Sequence, residues 1–247
     1  MTEGTPEPLI EVKDDAGALA TAVAGELLSR LADAQAAGGV PQIALTGGSI
    51  ADAVHAELAR LGPDSAVDWS RVVVWWGDER FVPRDSPDRN AGQARAAFLA
   101  AVGIPDECVH EVASSDDVAS AEAAADLYAA ALREHGAGEL EVLMLGVGPD
   151  GHVASLFPGF PQLDVDGDLA VAVADSPKPP SDRVSLTFTA LNRSRVVWFL
   201  VSGEGKAEAV ARALSPGSTT LQETPAIGVR GREETTWFLD RASASLL

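Results

Sequence analysis

Short apolar runs recur along the chain at QIALT (42–46), RVVVWW (71–76), EVLMLG (141–146), LAVAVA (169–174), VSLTF (184–188) and VVWFLVS (196–202). A final pair, AIGV and TWFLD, stands near the end. Between them lie Ala-rich stretches with helical spacing: Ala16–Ala37, Ile50–Arg60, Asn90–Ala101, Asp116–Glu134 and Lys206–Leu214. Strands that are apolar throughout, rather than on alternate positions, are buried on both faces. Their alternation with helices predicts a doubly wound α/β fold, a mostly parallel sheet with helices on both faces. With no long linker or repeat, residues 1–247 are expected to form a single domain. Ligands of such sheets bind beyond the carboxyl ends of the strands, so the loops following each strand are the places to search.

Four of those loops carry chemistry. Thr46-Gly47-Gly48-Ser49 joins the first run to a helix; its glycines let a ligand approach the backbone, and Ser49 is placed to cap the helix. A helix start of this kind attracts phosphate. Gly77-Asp78-Glu79-Arg80 sets three charges directly after a buried strand and opens a long loop that includes Asn90. The stretch Gly146-Val147-Gly148-Pro149-Asp150-Gly151-His152 matches G-x-G-x-x-G. A dinucleotide site is nonetheless excluded, because Pro158-Gly159 stops any helix within two turns. The loop instead presents Asp150 and His152 two residues apart. Of the four histidines, His152 is the catalytic candidate, while His55, His110 and His135 are expected at the surface. Finally, Ser202-Gly203-Glu204-Gly205-Lys206 places Lys206 at a helix start, where a cation is favourable only if it shares an anion with the helix terminus.

The Pro-rich segment SPKPPSDR holds Lys178 and Arg183 rigidly. Arg183 precedes its strand, so in a parallel arrangement it would sit at the wrong end. Either that strand runs antiparallel or Arg183 is structural.

Charge and composition narrow the chemistry. The formal charge is −19, from 37 acidic and 18 basic side chains, with no basic cluster for nucleic acid. An anionic substrate would need a few cations concentrated in one pocket against that background. No apolar run approaches the ~18 residues of a membrane span, and the acidic start lacks the design of a signal peptide. A cytoplasmic location is expected. Cys108 is the only cysteine, no His/Cys/Asp spacing suits a metal, and no G-x-S-x-G elbow occurs. What remains suits acid–base chemistry on a phosphorylated metabolite with water as nucleophile, without cofactor or metal.

The motifs TGGS (46–49), WWGDERFVP (75–83), DRNAGQ (88–93), LGVGPDGHVASLFPG (145–159), SPKPPSDRVSLT (176–187) and SGEGKAEAV (202–210) together resemble the glucosamine-6-phosphate isomerase/6-phosphogluconolactonase family. The resemblance runs over nearly the whole chain and implies the α/β fold of that family. It also implies hydrolysis of 6-phospho-D-glucono-1,5-lactone, the second step of the pentose phosphate pathway. GDER and DGHVASLFP follow the lactonase branch; the deaminase branch typically has Tyr where Arg80 stands. By resemblance, Thr46, Gly47, Gly48 and Ser49 hold the phosphate with Arg183 and Lys206. His152 is the general base and then acid, oriented by Asp150. Arg80 stabilises the oxyanion or a hydroxyl, with Asp78 and Glu79 contacting hydroxyls or supporting Arg80. The implied partner is a small sugar-phosphate lactone, and the implied assembly a monomer or small homo-oligomer. The competing readings are a deaminase/isomerase, a nicotinamide enzyme and a non-catalytic sugar-phosphate sensor. The sensor would need a fused DNA-binding segment, for which the residues before the first helix are expected to be too few.

Overall fold

The computed structural model describes residues 7–136, 139–215 and 217–247. In chain order the elements are β1 (Leu9–Lys13), α1 (Ala16–Ala36), β2 (Gln42–Leu45), α2 (Ser49–Leu61), β3 (Val73–Trp76) and β4 (Asp78–Arg80). There follow α3 (Asn90–Ala94), which passes through a π turn (Arg95–Leu99) into α4 (Ala100–Val102), and α5 (Ala121–His135). The remainder comprises β5 (Val142–Gly146), β6 (Ala170–Val173), β7 (Arg183–Leu186), α6 (Phe188–Leu191), β8 (Val196–Val201), α7 (Ala207–Leu214) and β9 (Glu234–Asp240).

Six strands form one parallel sheet in the order β1-β9-β8-β5-β2-β3. The inner strands β5 and β8 and their neighbours β2 and β3 are almost wholly apolar because both faces are covered, whereas β1 is an exposed edge. Ile43, Leu45, Met144, Trp198 and Phe238 point toward α1, α2 and the helix of residues 90–102. Their alternates Ala44, Leu143, Leu145, Phe199 and Trp237 pack toward α5, α7 and the second sheet. After β2 the chain builds outward to β3, then returns to place β5 on the other side of β2. The strand order therefore reverses between β2 and β5, which opens a crevice at their carboxyl ends.

The second sheet is small and antiparallel, in the order β4-β7-β6. The chain changes sheets at Gly77, whose N–H donates to Leu45 O while its carbonyl accepts from Leu186 N.

Several elements depart from the sequence expectation. The strands near 170 and 184 leave the parallel sheet and pair antiparallel, which settles the direction of β7. Of GDER, expected as loop, Asp78–Arg80 form strand β4. AIGV is no strand: Pro225–Gly228 form a 3-10 turn, since Pro225 cannot donate to a ladder. Edge strand β1 was not anticipated. Helix α5 starts at Ala121, where Ser120 caps it, rather than at Asp116. No described helix is long and apolar enough to cross a membrane.

Candidate active site

The turn after β2 lies on one side of the crevice. Gly48, at φ +102°, occupies the N-cap position of α2, so Ser49 is the first helical residue and not the cap. No side chain caps this 13-residue helix, and its first-turn amides are left for a ligand. Gly47 is required by a neighbour: a Cβ there would lie 2.0 Å from Asn90 Oδ1. Thr46, buried, faces the loop across the crevice, its Oγ1 accepting from Gly146 N at 3.4 Å.

That second loop carries the Asp150–His152 pair. Asp150 Oδ1 lies 2.5 Å from His152 Nδ1 and also accepts the His152 N–H. With Nδ1 occupied, Nε2 is the free ring nitrogen. The ring is held against Phe157, with centroids 4.6 Å apart, and covers Gly148, where a Cβ would fall 1.9 Å from Nδ1. Partial burial pushes the Asp150 carboxyl up, but the hydrogen bond and charge of His152, with the charge of Lys178, outweigh it. Asp150 is thus held well below the usual carboxylate range and stays ionised at working pH.

The third wall comes from the small sheet. Arg80 on β4 stands directly opposite Arg183 on β7. Like charges facing one another across strands are unfavourable unless an anion is shared. Asp78 partly supplies one: its Oδ2 accepts from Ser155 Oγ at 2.6 Å and lies 3.9 Å from Arg183 Nη1. Glu79 was expected either to contact hydroxyls or to support Arg80, and its contacts are with the Arg80 corner. It is fully buried, and its carboxylate accepts from the backbone N–H groups of Arg80, Asn90 and Ala91. Burial pushes its acidity toward the neutral form, against the pull of those amides and Arg89. Glu79 is not among the residues lining the cavity, and its carboxylate ties the backbone of β4 to the start of α3.

The three walls enclose a cavity of about 260 Å³. Its lining brings together Thr46, Gly47, Gly48, Ser49, Asp78, Arg80, His152, Arg183 and Lys206 from the sequence expectation. Lys206, at the N-cap of α7, donates to Val147 O at 2.7 Å, and burial lowers its affinity for a proton. Asn90, Lys178 and Ser202 also line the cavity without having been assigned a role. The Pro-rich setting of Lys178 was the one available signal. Asn90 was noted as part of the long loop after GDER; it is buried and donates from Nδ2 to Asp78 O. His55 is a further correction: it is 3% exposed and stacks on Phe98, so the surface reading fails. His135 is exposed, and His110 stacks on Trp75 at 4.1 Å.

Fold and site together define an α/β protein whose uncapped helix start faces an Asp–His pair across one cationic cavity. The family model for glucosamine-6-phosphate isomerases/6-phosphogluconolactonase matches residues 14–237, and the chain belongs to that family. A 6-phosphogluconolactonase of Streptomyces coelicolor is 44% identical, over 97% of this chain and 95% of its own. One of Mycobacterium tuberculosis is 42% identical, covering 96% and 98%. The crystal structure of 6-phosphogluconolactonase from Thermotoga maritima superposes with a TM-score of 0.82 at 28% identity, over 95% of this chain and all of that one (100%).

Proposed function

We propose that this chain is a cytoplasmic 6-phosphogluconolactonase, one domain with one site, that opens 6-phospho-D-glucono-1,5-lactone to 6-phosphogluconate. The observation that carries this reading is the Asp150–His152 pair facing the uncapped TGGS turn across a single cavity. The phosphate is held by the first-turn amides of α2 with Thr46, Gly47, Gly48 and Ser49, and by Lys206 from the far wall. Arg183 and Arg80 add charge from the small sheet, and Asp78 accepts from a sugar hydroxyl.

The chemistry follows from which atoms are free. His152 Nε2 takes a proton from water as its oxygen attacks C1 of the lactone. The carbonyl oxygen becomes an alkoxide facing the cations of the cavity. When that intermediate collapses, the bond from C1 to the ring oxygen breaks and His152 returns the proton to the ring oxygen. The carboxylic acid product loses its own proton to solvent. Asp150 fixes the imidazole with Nδ1 protonated and supports its charged form.

The test supplies lactone freshly made by glucose-6-phosphate dehydrogenase and follows acid release with and without the protein. Acceleration over spontaneous opening is expected, with no ammonia from glucosamine 6-phosphate. His152→Ala should lower turnover by about 10²–10⁴-fold. Near-normal turnover by a folded His152→Ala protein would remove the base from the mechanism.

A further inference from the structure

We propose that Lys178 is a catalytic cation of this site, its ammonium set beside the Asp150–His152 pair, and that Arg183 is the positioning residue that keeps it there. The inference rests on the lactone-opening reading above and gives the cations of the cavity different tasks.

Lys178 Nζ lies 3.5 Å from His152 Nδ1 and lines the cavity. Its backbone is braced from both sides. Ser176 Oγ donates to Lys178 O and accepts from Lys178 N. Arg183 then directs Nε to Pro180 O at 3.1 Å, and Nη2 to Lys178 O at 3.1 Å and Pro179 O at 3.4 Å. Its Nη1 reaches toward Ser155 Oγ at 3.5 Å and Asp78. A guanidinium has five N–H donors in a fixed fork, and here most of them grip protein atoms. Arg183 is 5% exposed and sits over the Phe157 ring, which also backs the imidazole. So enclosed a side chain has little left to give a phosphate, whereas the turn it grips carries an ammonium that lines the cavity. A side chain with four carbons and three rotatable donors can follow a carbonyl oxygen as it becomes an alkoxide. In the step above, Lys178 would face that oxygen while His152 holds the proton taken from water.

The same charge acts on the base. The ionisable groups around His152 are Asp150 on its own loop and Lys178 from the turn before β7. Lys206 from α7, and Arg80, Asp78 and Arg183 from the small sheet, line the same cavity. Among the described residues, Lys178 is the one cation within hydrogen-bonding distance of the imidazole. An ammonium at that distance repels the imidazolium formed while His152 holds the proton taken from water. Burial lowers the proton affinity of Lys178 itself, as does Arg183, while Asp150 raises it.

Lys178→Met and Lys178→Arg would be compared with the parent chain by kcat, KM, the pH profile of kcat/KM and an NMR titration of His152. For Lys178→Met the expectation is a kcat lower by about 10²-fold, a small change in KM, and a His152 titration displaced to higher pH. The acid limb of kcat/KM should move with it. Lys178→Arg should restore the titration and part of kcat. Arg183→Lys, checked for folding by circular dichroism, should disturb the His152 titration in the same direction. An unmoved titration in Lys178→Met, with a raised KM and normal kcat, would overturn the proposal and make Lys178 a phosphate ligand. An unmoved titration in folded Arg183→Lys would overturn the positioning role. If the parent chain fails to open the lactone, the functional reading falls, and the titration still decides whether Lys178 acts on the imidazole.

Discussion

Gly148 is where a single atom decides whether the proposed base can take its place. A Cβ at this residue would meet His152 Nδ1 at 1.9 Å and Asp150 Oδ1 at 2.3 Å, the two atoms whose contact orients the ring. Separations that short cannot be absorbed by rotation without breaking the pair. Gly148→Ala is therefore expected to fold with an unchanged circular dichroism spectrum. Its lactone hydrolysis should fall by about 10²–10⁴-fold, as for loss of the base itself. Near-parental turnover would show that the ring can work from another position. The glycine pattern was visible in the sequence, but its reason was not. G-x-G-x-x-G resembles a dinucleotide turn, and only folding shows that the imidazole lies back over its own loop. The pairing of Asp150 with His152, by contrast, was legible, since two residues apart in a glycine-rich turn leaves few other arrangements. Lys178 was visible only as a cation in a rigid segment, because its partners come from a loop 26 residues away.

At the scale of elements, β4 shows why three charges in a row did not read as a strand. Asp78, Glu79 and Arg80 acquire their partners from β7, the 152–156 loop and the start of α3, and none of these is local in sequence. Glu79 accepts from three backbone amides of that corner. Glu79→Ala would strand buried donors at a cost of about 1–3 kcal/mol each where water cannot replace the carboxylate. A clear drop in thermal midpoint is expected, with weakened turnover from a displaced Arg80; an unchanged midpoint would show that water enters the corner. Helix α2 offers a second case. Its pattern predicted the helix correctly but put His55 outside, because histidine on an amphipathic face is polar by type. In the structure it packs on Phe98 in the core, and burial pushes it down to about 4 from an ordinary 6.5. Between those values the unfolded chain binds a proton that the folded chain refuses. This contribution to stability is intact above pH 6.5 and is lost as pH falls toward 4, by up to about 3 kcal/mol. His55→Leu should flatten that part of the stability profile measured by urea unfolding. An equal slope in both proteins would assign the acid loss to other groups.

At the scale of the whole molecule, the parallel order and its reversal between β2 and β5 explain why loops far apart in sequence share one cavity. The alternation of apolar runs with helices was enough to predict this, because a doubly wound sheet follows from burial on both faces. The separate antiparallel sheet was not predictable from the same signal, since β6 and β7 come from apolar runs like those of the parallel strands, while β4 is a run of three charges. Charge works at this scale too. A net −19 surrounds a cavity whose wall carries Arg80, Lys178, Arg183 and Lys206. A phosphorylated substrate is thus repelled at long range and held at short range. Salt distinguishes the two, because the screening length is about 10 Å at 0.1 M, longer than a contact and shorter than the molecule. Sodium chloride raised from low ionic strength to about 0.1 M should therefore leave kcat/KM level or raise it, by removing the repulsion before it touches the contacts. Inorganic phosphate at the same ionic strength should compete with substrate, since it can occupy the α2 turn. A steep fall in kcat/KM with sodium chloride alone would mean that the cavity's cations steer substrate from solvent, and that the acidic surface sets no barrier.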